Sequence, residues 1–274
     1  MEFLQQDRTL IMGALNVTPD SFSDGGLYFS KGSATRRAEE MIEEGVDIID
    51  VGGESTRPGA DPVPKDEEER RVLPVLQEIS TRFNIPVSID TYKADIARKA
   101  LSFGAKIVND ISGLTFDPEM VNVVADSDAY VVIMHIKGTP KNMQKNPHYD
   151  DLIKELVVFF QQQIDYAVKN GVQEKKIILD PGIGFGKRLN DNFAIINSLD
   201  RIANLGFPVL VGPSRKSFIG LTLNLPPEER VEGTAAAVTA SILKGAKIIR
   251  VHDIKEMKRV SIIADAIKRE GAIT

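Results

Sequence analysis

The sequence contains no cysteine. Disulfides, thiolate metal centres and a cysteine nucleophile are thereby excluded, and a reducing compartment suits the chain. Histidine is nearly as scarce, at three residues (His135, His148 and His252), with no HExxH helix and no clustered carboxylates to form a tight metal cage. No apolar run approaches the roughly 20 residues of a membrane-spanning helix. The opening MEFLQQDRTL lacks the basic stretch followed by an apolar one that marks a leader peptide. A cytoplasmic protein without a membrane partner is expected. Formal charge is −5, with no basic stripe and no RNP-type aromatic motif, so nucleic acid is not an expected partner.

What is present is a repeat. Hydrophobic residues make up 42% of the 274 and charged residues 27%, enough apolar matter for a full core. Eight short, β-branched, nearly continuous apolar runs occur: LIMGALNV (10–17), VDIIDVGG (46–53), PVSID (86–90), KIVNDISG (106–113), AYVVIMH (129–135), KIILDPG (176–182), PVLVGPS (208–214) and KIIRVHD (247–253). Each reads as a strand buried on both faces. Helix-period stretches such as ATRRAEEMIEEG and TAAAVTASILKGA separate most of them, often closed by a glycine (Gly45, Gly104, Gly171, Gly206, Gly245) in the position that ends a helix. This pattern predicts an α/β fold, a (β/α)8 TIM barrel in one domain over residues 1–274. An open doubly wound sheet is the competitor; the count of eight decides against it.

In such a barrel the chemistry belongs at the C-terminal ends of the strands. Polar residues cluster there: Asn16, Asp50, Asp90, Asn109 with Asp110, His135, Asp180, Ser214 to Lys216, and Arg250 with His252. A strand-end Asp also serves as a helix cap or as the partner of a nearby Lys, and Asp50 and Asp110 are best read that way. GIGFGK (182–187) fits neither GxGxxG nor GxxxxGK[ST], which removes the dinucleotide and P-loop readings. KDEEERR (65–71) reads as a solvated charge run at a helix start, DIKE (253–256) as a capping box, and KNMQKNPHYDD (141–151) as a polar loop without an assigned purpose.

Five of these segments carry a resemblance. NVTPDSFSDGG after the first strand, DVGGESTRPGA after the second, DPGIGFGK after the sixth, GPSRKSFIG after the seventh and RVHD on the eighth are similar to the dihydropteroate synthase family. The likeness runs from about residue 10 to residue 265, each motif on its own strand end. It implies transfer of a pterin-methyl group from a dihydropterin pyrophosphate to the amine of p-aminobenzoate, a folate-forming step blocked by sulfonamides.

A pterin offers a flat, guanine-like edge, which calls for a carboxylate, an amide and a cation. The resemblance assigns Asp90, Asn109, Asp180 and Lys216 to that pocket, with Met134 and Phe185 on the ring face. It implies Asn16, Arg250 and His252 for the pyrophosphate, and Mg2+ held by Asn16 with substrate oxygens and water. For p-aminobenzoate it implies Phe22, Ser55, Thr56, Arg57 and Pro58 together with Ser214 and Lys216. Two loops, about 18–32 and 53–65, are expected to be mobile lids, and Asp24 on the first is expected to stabilise positive charge at the reacting carbon, with Lys216 and Arg250. A methyltransferase serving a corrinoid and a catalytically silent pterin binder are the rival readings; neither would need STRPG or the Arg250 and His252 pair. A homodimer packed through TAAAVTASIL is compatible with the sequence, as is ordinary barrel packing.

Overall fold

The computed structural model describes residues 3–17 and 26–270, with side chains described for 4–17 and 32–270. Eight parallel strands run β1 Leu10–Asn16, β2 Ile48–Gly52, β3 Val87–Asp90, β4 Ile107–Asp110, β5 Tyr130–Met134, β6 Ile177–Asp180, β7 Val209–Val211 and β8 Ala246–Val251. They pair in chain order and β8 closes back onto β1, with Leu10 beside Ile248 and Met12 beside Arg250. The helices are α1 Gly26–Glu43, α2 Lys65–Arg82, α3 Ala94–Ser102, α4 Met120–Ala125, α5 Leu152–Lys169, α6 Leu189–Asn197, α7 Leu199–Ala203, α8 Ser217–Leu223, α9 Val231–Leu243 and α10 Ile254–Lys268. The eightfold repeat of the sequence is therefore a closed barrel. The five glycines expected at helix ends all turn left-handed, with φ between 90° and 106°, a conformation that costs a side-chain-bearing residue but not glycine.

The two-residue period of a strand sorts the barrel into layers. One set of alternate residues faces the helices, among them Ile49, Val51, Ile89 and Val108. The other set faces inward, where Leu10, Met12, Ile48, Ile107, Val132, Ile178, Leu210 and Ile248 form a separate apolar plug. Two residues further along the same inward face come Asp50, Asn109, Met134, Asp180, Gly212 and Arg250. The plug thus carries a polar layer directly above it, at the C-terminal mouth.

Two local expectations are corrected. Glu68, inside the charge run that opens α2, is 1% exposed, accepts a hydrogen bond from Thr91 Oγ1 at 2.7 Å and pairs with Lys93. The acidic helix start looked solvated only because its partners lie in the distant loop that follows β3. At α10 the residue Asp253 stands at the N-cap without a side-chain capping bond. Its carboxylate is taken by Arg215, whose Nε donates at 2.9 Å and whose Nη2 also donates. A bidentate ion pair outcompetes a cap.

Candidate active site

The centre of the mouth is a hydrogen-bonded cluster drawn from four strands. Arg250 donates from Nε to Asp50 Oδ2 at 2.6 Å and from Nη2 to Asp90 Oδ2 at 2.8 Å. Asn109 Nδ2 donates to the same Asp50 oxygen at 3.0 Å, which leaves the Asn109 amide oxygen turned away from Asp50. Burial works against the Arg250 charge but Asp50 and Asp90 outweigh it, so its pKa is raised. Burial, with help from neighbouring Asp50, raises the Asp90 carboxyl well above the usual carboxylate range against the pull of Arg250. Asp50 is fully buried, and its Oδ1, like Ser88 Oγ beside it in the β2–β3 register, has no hydrogen-bond partner among the described residues. Sequence reasoning left Asp50 out of the site. Its inward position two residues past Ile48 was the available signal.

Opposite this cluster stand Asp180 and Lys216. Asp180 accepts from the Gly182 N–H at 2.7 Å, and its pKa is raised by burial despite the field of Lys216. Burial pushes Lys216 down to about 8, opposed by Asp180 and Asp90. The Lys216 ammonium donates to the Ile183 carbonyl and lies 4.6 Å from the centre of the Phe185 ring, within cation–π range. Met134, 2% exposed, ends β5 beside Asp180 of β6. Asp90, Asn109, Asp180, Lys216 and Arg250 thus share one concavity. Asp110 faces the other way; its carboxylate accepts the Ser112 and Leu114 N–H groups at 2.8 and 2.9 Å and shapes the turn after β4.

On β8 the inward face continues to His252, whose Nδ1 lies 3.1 Å from Ser214 Oγ. Burial, then Arg250, Arg215 and Arg57, lower His252 to about 4, so the imidazole is neutral at physiological pH. Ser214 is buried and Arg57 exposed. Arg215, left-handed at φ 56°, is fastened to Asp253 as described.

The loop after β2, expected to be mobile over 53–65, is held at several points. Glu54 accepts from Tyr92 OH at 2.8 Å, the Val63 N–H at 2.9 Å and Lys93 Nζ at 2.7 Å, while Lys93 also donates to the Val63 carbonyl at 2.8 Å. Both stems are therefore clamped by one half-buried lysine. At the tip, Gly59 N–H donates to the Pro140 carbonyl at 2.9 Å and Asp61 pairs with Lys141 at 2.7 Å. Ser55 and Thr56 are half-buried; Pro58 is exposed. The segment after β5 that had no assigned purpose is this loop's neighbour. On its other side, Gln144 Nε2 donates to the Gly184 carbonyl at 2.8 Å and Tyr149 OH to the Gly186 carbonyl at 2.7 Å. It joins the second and sixth loops across the mouth.

Phe22 and Asp24, and most of the 18–32 loop, lie outside the described residues. Asn16 ends β1 partly exposed, beside Gly52, and no hydrogen bond among the described residues occupies its side chain. Its amide oxygen is a hard donor of the kind Mg2+ accepts. No group of three or more His, Asp or Glu able to hold a metal occurs among the described residues.

Among the described residues no helix is long and apolar enough to cross a membrane. The model of a family described as pterin binding enzyme matches residues 12–252. The dihydropteroate synthase of Bacillus subtilis is 48% identical over 268 residues, covering 98% of this chain and 92% of that protein. Among solved structures, the Yersinia pestis dihydropteroate synthase with a sulfonamide drug complex superposes with a TM-score of 0.91 at 43% identity, covering 97% of this chain and 96% of the other. The Xanthomonas albilineans enzyme with 4-aminobenzoic acid gives 0.90 at 40% identity, covering 98% and 95%.

Proposed function

This chain belongs to the family of pterin-binding enzymes, among the dihydropteroate synthases, and on that premise we propose how its barrel mouth joins the two substrates. The reaction makes 7,8-dihydropteroate and pyrophosphate from a dihydropterin pyrophosphate and p-aminobenzoate. The pterin edge lies against Asp180 and Asn109: the carboxylate accepts the ring and exocyclic N–H groups, and the Asn109 amide oxygen, freed by the bond to Asp50, accepts a further donor. Lys216 serves the ring carbonyl, Asp90 is the second carboxylate, and Met134 and Phe185 pack on the ring. Hydrogen bonds to charged groups contribute about 1.5–3 kcal/mol each, so a pocket of this kind rejects analogues lacking the donors by roughly 10⁴.

The pyrophosphate lies toward Arg250, whose Nη1 is in no hydrogen bond among the described residues, and His252. With Ser214 O–H donating to His252 Nδ1, the neutral ring presents Nε2–H to a phosphate oxygen. Mg2+, when bound, would be held by Asn16 with substrate oxygens and water, and would supply charge neutralisation to the leaving group. The carbon–oxygen bond to pyrophosphate breaks first. Positive charge grows on the methylene carbon, conjugated to the pterin, and Asp24 stabilises it with the field of the site. The neutral aryl amine then attacks that carbon and loses a proton. Phe22, Ser55, Thr56, Arg57 and Pro58, with Ser214 and Lys216, surround the aryl ring, where sulfonamides compete. A cytoplasmic location and a homodimer complete the proposal; exposed Leu221, Ile263 and Ile267 on α8 and α10 suit a second copy.

One observation carries the reading: an acid, an amide and a cation from β6, β4 and the loop after β7 converge with Arg250 on a single concavity. The test is Mg2+-dependent release of pyrophosphate on adding p-aminobenzoate, with Asp180→Ala as the control. Release without p-aminobenzoate dependence, or an unimpaired Asp180→Ala enzyme, would contradict it.

A further inference from the structure

GIGFGK fits no nucleotide-binding pattern, yet its glycines and lysine have a definite task. Gly182 and Gly186 have φ of 69° and 64°. A Cβ on Gly182 would stand 2.0 Å from the His135 carbonyl oxygen, and one on Gly186 would stand 2.5 Å from that of Lys137. Only glycine lets the loop after β6 lie flat on the chain leaving β5. Into that seam projects Lys187, 3% exposed. Its ammonium donates to His135 Nδ1 at 2.9 Å, to the His135 carbonyl at 3.0 Å and to the Phe185 carbonyl at 2.9 Å. Three hydrogens meet three acceptors.

No carboxylate is hydrogen-bonded to Lys187 among the described residues, and burial pushes it down to about 7, partly offset by Asp180 and Asp191. Burial also lowers His135 to about 3, which keeps its ring a neutral acceptor. An apolar side chain here would leave those three acceptors without a donor. What the ammonium adds is direction. It ties the backbone of Phe185, whose ring carries Lys216, to His135, the residue that follows Met134.

We propose that Lys187 is a positioning residue: by clasping His135 to the Phe185 carbonyl, it sets the separation between Met134 and the Phe185–Lys216 pair and so shapes the slot for the pterin ring. This rests on the pterin-pocket reading above. On the aryl-amine side only Lys216 is shared; Ser55, Thr56, Arg57 and Pro58, on the loop after β2, make no hydrogen bond to Lys187 or His135 among the described residues.

The experiment is calorimetric titration of dihydropterin pyrophosphate, with KM for p-aminobenzoate and the unfolding midpoint measured alongside, in Lys187→Met, His135→Leu and His135→Asn. Lys187→Met is expected to weaken the pterin substrate by roughly tenfold or more, the loss of one or two charged hydrogen bonds. KM for p-aminobenzoate should change several-fold less than the pterin affinity, since Lys216 is the one residue the two pockets share; the unfolding midpoint, which records the separate cost of three buried acceptors left without a donor, should fall. His135→Leu should lose pterin affinity likewise, while His135→Asn, which keeps an acceptor near the Nδ1 position, should retain most of it. Folded Lys187→Met that binds the pterin like the parent, or that loses both substrates equally, overturns the proposal. Should Lys187→Met not fold, the two His135 variants decide: equal behaviour overturns it, and loss in Leu alone supports it. Asp180→Asn separates the two readings, because a mistaken pterin pocket would leave that variant's affinity intact as well.

Discussion

Asp50 is the most informative residue to perturb, because it touches both the guanidinium and the amide that the proposed pocket depends on. Asp50→Ala removes the acceptor for Arg250 Nε at 2.6 Å and for Asn109 Nδ2 at 3.0 Å in one step. Removing one partner of a buried pair costs about 3–5 kcal/mol. Asp90 still holds Arg250 Nη2 at 2.8 Å, so the lower end of that range applies to folding stability: about 3 kcal/mol. For catalysis, the loss of the charged bond that aims Arg250 is worth about 1.5–3 kcal/mol, or roughly ten- to a hundredfold in kcat/KM for the pterin substrate at about 1.4 kcal/mol per decade. Asp50→Asn is the electrostatic control. Its amide oxygen can replace Oδ2 toward both donors, and neutral acceptors bind about half as strongly as charged ones, so its loss should be several times smaller. The assay is steady-state pyrophosphate release over a range of pterin pyrophosphate, with circular dichroism to verify the fold. An Asp50→Ala enzyme that folds and keeps its pterin kcat/KM within threefold would refute the role given to this carboxylate.

Lys216 gives a pH dependence. Burial holds its folded pKa at about 8, below the ordinary 10.5. The charged form that grips the pterin carbonyl is therefore present below about pH 8 and lost above it. Pterin affinity measured by titration should fall in two overlapping steps, through about pH 7 as Lys187 loses its charge and through about pH 8 as Lys216 does, and Lys216→Arg should remove the second step and leave the first. The linked stability term has the opposite sign: a depressed lysine penalises the fold while charged, so Lys216→Met should gain stability below pH 8. Lys93→Met should release both stems of the loop after β2 from Glu54 and the Val63 carbonyl. It should raise KM for p-aminobenzoate about tenfold, the worth of a charged hydrogen bond, while leaving the pterin dissociation constant unchanged; equal changes in both would contradict the clamp.

The parts legible in the sequence were those governed by local periodicity. Eight β-branched runs, separated by helix-period stretches, led to the barrel; Asp90, Asn109, Asp180 and Arg250 were assigned by the resemblance of the strand-end motifs, and the fold sets them on the inward face above Ile107, Ile178 and Ile248. The parts not legible depend on distant partners. Glu68 looked like a solvated helix start until Thr91 and Lys93 came against it. Asp253 had the spacing of a cap, and only the fold brings Arg215 to it. Asp50 opens the DVGGESTRPGA segment but, like Asp110, was read as a cap or structural partner; in the fold Asp50 faces the barrel axis and holds Arg250, while Asp110 faces away and holds the turn after β4. Lys187 was hidden because its acceptors are two backbone carbonyls and an imidazole, and carbonyls leave no trace in side-chain patterns. The 141–151 segment was obscure for the same reason.

The most direct measurement is a crystal structure of the chain with dihydropterin pyrophosphate. The bicyclic ring should lie in the mouth with its aminopyrimidine edge about 3 Å from Asp180 and Asn109, its carbonyl toward Lys216, and its pyrophosphate toward Arg250 and His252. Electron density for the ring anywhere that leaves Asp180 and Asn109 unengaged would contradict the account.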